Sequence, residues 1–166
     1  MSKLNREGRY PVNISLNGQN VTGHAEPRML LSDFLTHEIG ITSCHVGCEH
    51  GVCGACTVLI DGEVARACLT FAIQSDGCAV DTAESLANKD GELSELQKAF
   101  KKHHGLQCGY CTPGILMSIT AYLKENPKPT EEEVRDMLSG HLCRCTGYVG
   151  IIRAVLDYSG SKDNGV

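Results

Sequence analysis

Cys48, Cys53, Cys56 and Cys68 stand in "GCEHGVCGACTVLIDGEVARAC", a C-x4-C-x2-C series with a fourth cysteine after eleven intervening residues. That is the spacing of plant-type [2Fe-2S] ligation, and the chemistry explains it. Two irons bridged by sulfides need four thiolates from different directions, so a loop must wrap three of them round the cluster while a following strand brings the fourth. Gly47, Gly51 and Gly54 let that loop coil closely and leave backbone amides free to point at sulfur. Such hydrogen bonds stabilise a reduced cluster and raise its potential. Two plainer readings compete: cysteines acting as small buried hydrophobes, or a zinc site. Four cysteines with interleaved glycines exceed what a core requires, and zinc would more naturally use two C-x2-C knuckles. An iron–sulfur cluster is the expectation. Cys44 and Cys78 fall outside the series and read as structural thiols. His45 and His50 could suggest a Rieske-type centre, but with four cysteines available both read as surface loop residues.

A second set follows in "GLQCGYCTPG" and "HLCRCTGY": Cys108-x2-Cys111 and Cys143-x-Cys145. These four lie at the starts and ends of expected helices, and at the N-termini free amides and the positive dipole end favour thiolate. A C-x-C pair is too tight for an ordinary zinc knuckle, yet it can place one thiolate on each of two neighbouring irons. Spacing alone leaves zinc open here. The first set weighs against it, because a chain with one electron carrier gains a function from having a second.

The elements that must position these thiols divide the chain. Across residues 11 to 82 the signals are those of strands. "VNISLNGQNVTGHA" alternates apolar and polar residues around the turn pair Asn17-Gly18, and "CTVLIDGEVARACL" does the same around Asp61-Gly62. Between them "RMLLSDFLTHEIG" spaces Met29, Leu30, Phe34 and Leu35 for one helical face, with Gly40 as the stop. Two hairpins enclosing a helix predict a small α+β sheet domain over residues 1–84.

From residue 85 to 166 the pattern is helical. Leu93, Leu96 and Phe100 share a face in "GELSELQKAFKKHH"; Pro113 suits the first turn of a helix through "GILMSITAYLKEN". Thr130 with Glu133 forms a capping-box signature before "EEEVRDML", and "VGIIRAVLDYS" is the last helix. Four short helices predict a small bundle, followed by a loose polar tail, "SGSKDNGV".

Composition narrows the function classes. Fifteen Lys and Arg against twenty Asp and Glu give a net charge of −5, which offers no basic field to nucleic acid. No stretch approaches a membrane span and the N-terminus shows neither an apolar signal region nor a twin-arginine pair. A cytoplasmic location is therefore expected, and in that reducing compartment ten cysteines point to metal or redox chemistry rather than disulfides.

Taken in order, "GCEHGVCGACTVLIDG" with its later cysteine, "GLQCGYCTPGILM" and "HLCRCTGY" resemble the iron–sulfur (small) subunits of the molybdenum hydroxylases, the xanthine oxidase family. Members of that family include carbon monoxide dehydrogenase and the quinoline, isoquinoline and nicotine dehydrogenases. The resemblance spans nearly the whole chain. It implies an N-terminal β-grasp, plant-ferredoxin-like domain and a C-terminal four-helix bundle, each with one [2Fe-2S] cluster. It further implies a large subunit with a molybdenum-pterin cofactor and a medium subunit with FAD, in a heterotrimer or a dimer of heterotrimers. Gln107 would hydrogen-bond the pterin and Cys145 would be the thiolate nearest it, while Arg144 and Tyr148 would orient the loop and pack the last helix. Cys44 departs from the family, whose members usually carry another residue there.

On this reading the chain relays electrons from molybdenum to flavin and binds no substrate, which would be an N-heterocycle, an aldehyde or carbon monoxide. No glycine-rich dinucleotide loop follows a strand. The competing functions are a free-standing ferredoxin-like carrier, which would not need the helical half, and a zinc-stapled interaction module, which would be colourless.

Overall fold

The computed structural model describes residues 5–88 and 90–160; most of the expected polar tail lies outside them. Strand β1 (Tyr10–Leu16) turns Val12, Ile14 and Leu16 into the core and pairs antiparallel with β2 (Gln19–Ala25). The two-residue turn between them has φ of 51° at Asn17 and 80° at Gly18, the doubly left-handed geometry whose twist matches the flanking strands. The second hairpin, β3 (Thr57–Ile60) and β4 (Glu63–Arg66), repeats the device, with φ of 51° at Asp61 and 88° at Gly62.

A fifth strand, β5 (Ala79–Asp81), joins the hairpins into one mixed sheet of order β2-β1-β5-β3-β4. It runs parallel to β1 and antiparallel to β3. Three residues are too few to show alternation, so the sequence carries no strand signal for β5. The helix across the sheet starts later than its apolar spacing suggested. Leu30 is held in an extended bridge to Phe71, and Met29 accepts from the Ala72 amide at 2.8 Å. Helix α1 (Leu31–Asp33) therefore begins one residue on and continues as a wider, π-type stretch over Phe34–Ile39, ending at Gly40 with φ of 90°. Leu31, Phe34 and Leu35 are fully buried against the sheet.

The remaining helices are α2 (Glu95–Lys102), α3 (Thr112–Glu125), α4 (Glu131–Leu138) and α5 (Val149–Ser159). Ser94 caps α2 in a reciprocal box with Gln97, which leaves Leu93 outside the helix and 41% exposed rather than on its apolar face. Thr130 and Glu133 form the expected box on α4. Leu96, Phe100, Ile115, Ile119, Val134, Ile151 and Val155 make a second core, separate from that of the sheet. Helix α3 bridges the two, packing on β3 and β4. No helix among the described residues is long and apolar enough to cross a membrane.

Candidate metal centres

The loop from Gly47 to Cys56 closes through three left-handed residues, Glu49, Gly51 and Gly54, at φ of 57°, 79° and 74°. It folds back so that the Cys53 amide donates to Cys48 Sγ at 3.4 Å. That amide, together with those of His50 and Val52, brings the Cys48 thiol down to about 6. The arrangement is a pocket of backbone donors aimed at sulfur, which favours a thiolate ligand. Cys53 donates its own thiol proton toward Cys48, and Cys68 toward Cys56. Burial, chiefly, pushes Cys68 up to about 11, with the Cys56 contact adding to it. Cys53, Cys56 and Cys68 are buried and Cys48 is at the surface of the loop.

The second quartet pairs in the same two-and-two fashion. Cys145 Sγ lies 3.5 Å from Cys108 Sγ, and Cys111 donates to Cys143. Cys111 occupies the N-cap of α3, but the dipole does not dominate there as expected from its position. Burial first, and then the neighbouring Cys143, raise its thiol to about 12. Cys143 moves the other way: burial opposes ionisation, but the Thr146 hydroxyl 3.0 Å from its sulfur and the amides of Thr146 and Cys145 outweigh it. Tyr148 holds the loop's shape, its hydroxyl accepting from the Cys143 amide and donating to the His141 carbonyl, each at 2.9 Å. Cys108, Cys145, Gln107 and Arg144 are exposed.

Both quartets fit a binuclear cluster, which takes two thiolates at each iron. Cys44 is buried in the sheet core, pushed up to about 12 mainly by that burial. Cys78 sits away from the loop, its thiol turned toward the Gln74 carbonyl.

The two loops meet, which the sequence did not show. The Leu142 amide donates to the Cys53 carbonyl at 2.9 Å. His45, expected as a plain loop residue, stacks on Tyr110 with ring centroids 4.5 Å apart and its Nδ1 2.7 Å from the Tyr110 carbonyl. The Tyr110 hydroxyl donates to Val46 at 2.8 Å. A methyl group on Gly114 would lie 2.8 Å from the Ala55 carbonyl oxygen and closer still to that of Gly54, so α3 reaches the first loop backbone to backbone. Thr146, three residues after Cys143, was a findable signal as a local hydroxyl; the His45–Tyr110 pair, 65 residues apart, was not.

Two families of matching description meet on the chain: a 2Fe-2S iron-sulfur cluster binding domain over residues 14–108 and a [2Fe-2S] binding domain over residues 82–156. The nicotine 6-hydroxylase small subunit of Paenarthrobacter nicotinovorans is 52% identical over 156 residues, covering 94% of this chain and 93% of that one. This chain belongs to the iron–sulfur small subunits of the molybdenum hydroxylases. The caffeine dehydrogenase subunit gamma of a Pseudomonas strain, another relative of this small-subunit family, is 48% identical over 90% of the chain and 91% of its own length. Quinoline 2-oxidoreductase from Pseudomonas putida 86 superimposes with a TM-score of 0.88 at 46% identity, covering 91% of this chain and 93% of that one. The chain is thus a non-catalytic iron–sulfur subunit of an oxidoreductase, and the free-standing carrier is not favoured.

Proposed function

We propose that this small subunit holds two [2Fe-2S] clusters, one on Cys48, Cys53, Cys56 and Cys68 and one on Cys108, Cys111, Cys143 and Cys145. It would relay electrons from a molybdenum-pterin centre on a large subunit to FAD on a medium subunit. The observation that carries the reading is the convergence of eight thiols into two quartets, each paired two and two, on loops joined by the Leu142–Cys53 hydrogen bond. A [2Fe-2S] cluster supplies one-electron storage at a potential set by its surroundings.

The chain's own residues do the rest. Amides directed at Cys48 and the Thr146 hydroxyl at Cys143 favour charged ligands. Cys145 and Gln107 stand exposed beside Cys108, where a pterin on a partner could be reached by both. The helical-half quartet would face molybdenum and the ferredoxin-like quartet the flavin. The two separate cores support a division at residues 84 and 85 into a β-grasp domain and a four-helix bundle. Names of relatives that carry nicotine, caffeine and quinoline favour an N-heterocycle over an aldehyde or carbon monoxide as the substrate of the assembled enzyme. We place that enzyme in the cytoplasm as a heterotrimer or its dimer.

Iron and acid-labile sulfide per chain, with EPR after dithionite reduction, test the reading. It expects about four irons, about four sulfides and two distinct rhombic signals. One cluster with zinc in the other quartet would overturn it.

A further inference from the structure

The segment that leads into Cys143 is held by the first half of the chain. Arg66, on β4, donates through Nη2 to the Gly140 carbonyl at 2.8 Å and through Nη1 to the Thr57 hydroxyl. That hydroxyl donates onward to the Gly54 carbonyl at 2.6 Å. Thr57 and Arg66 face each other across the β3–β4 ladder, and Thr57 is only 3% exposed. One guanidinium therefore joins Gly54, which lies between Cys53 and Cys56, to Gly140, which lies three residues before Cys143. The planar fork suits this task, because its diverging N–H groups reach two acceptors at once.

We propose that Arg66 is a positioning residue common to both quartets. It fixes the Cys143–Cys145 loop against the first loop, and its charge raises the potential of both clusters. The proposal rests on the two-cluster reading above. Reduction adds negative charge to a cluster, and a half-buried cation held between the two loops, less screened than one in open solvent, stabilises that added charge. A purely structural clamp would alter shape without moving potentials.

The test is an EPR-monitored redox titration of the full chain, reconstituted with iron and sulfide, as wild type, Arg66→Met and Arg66→Lys. Arg66→Met is expected to shift both midpoint potentials lower and to change the line shape of the helical-half centre. Arg66→Lys restores the potentials toward wild type while the line shape stays altered, since one ammonium cannot span both acceptors. Should Arg66→Met fail to fold, Thr57→Val keeps the charge and cuts the link to Gly54; it should alter the second line shape with little movement of potential. Wild-type chain with two clusters whose signals and potentials neither Arg66→Met nor Thr57→Val disturbs would overturn the proposal alone. Wild-type chain with a single cluster would overturn the two-cluster reading, and the proposal with it.

Discussion

At the scale of single residues, the chemistry depends on which thiol is donor and which acceptor. Cys111 is buried and its thiol donates a hydrogen bond to Cys143, so replacing it by serine removes one member of the helical-half quartet and leaves the other quartet untouched. Cys111→Ser is expected to lose or distort one EPR centre only; two unaltered signals would remove Cys111 from the ligand set. Gly114 makes a different prediction. A methyl group there meets the carbonyls of Gly54 and Ala55, backbone that cannot swing aside, so Gly114→Ala should cost about 1–3 kcal/mol of stability by overpacking. Urea unfolding of the cluster-free chain measures it, and no loss would mean that α3 does not press on the first loop. The grouping of the cysteines into two sets was legible because close spacing along the chain keeps thiols near one another. Arg66 and the His45–Tyr110 stack were not, since their partners lie far along the chain.

At the scale of elements, caps and turns were the most readable features and element starts the least. The turn pairs Asn17-Gly18 and Asp61-Gly62 carry their geometry in their residue types, whereas β5 is too short to announce itself and α1 yields its first residues to a bridge. Two elements offer tests. Thr130 donates its hydroxyl to Glu133 and accepts from the Glu133 amide; Thr130→Ala should cost about 1 kcal/mol, read as a lower urea midpoint. Glu84 lies after β5 and ties down the entry to the first loop, accepting from the amides of Thr42 and Ser43 and from the hydroxyls of Ser43 and Thr82. Burial works against its charge, but these donors outweigh it and hold the carboxyl below its ordinary value. A carboxyl so lowered contributes stability that is complete above its unfolded value and fades as pH falls through the folded one. The stability gap between wild type and Glu84→Gln should therefore be constant near neutrality and shrink in acid below the ordinary carboxylate range. A gap that widens in acid would contradict the assignment.

At the scale of the whole molecule, exposed apolar side chains collect in sequence beside both quartets. Val52 and Leu69 flank the first, with Leu69 leaning over Gly51; Leu106, Leu142 and Val149 flank the second. Large side chains left 41% to 60% exposed at these positions are what a subunit held in a permanent complex presents before its partners cover them. If the chain relays electrons as proposed, one partner meets it near each end, so the two groups should be separable by mutation. Leu142→Asp is expected to cut recovery of the large subunit when the small subunit is captured, while leaving the medium subunit bound. Leu69→Asp should do the reverse. Val64→Asp, at a residue 46% exposed on β4, serves as the control for added charge alone and should release neither. Each variant keeps its cysteines, so iron content per captured chain distinguishes a lost interface from a lost cluster. If Leu142→Asp and Leu69→Asp each released both partners with iron intact, the subunits would share one continuous surface, and the placement of the relay between two separate docking faces would have to be abandoned.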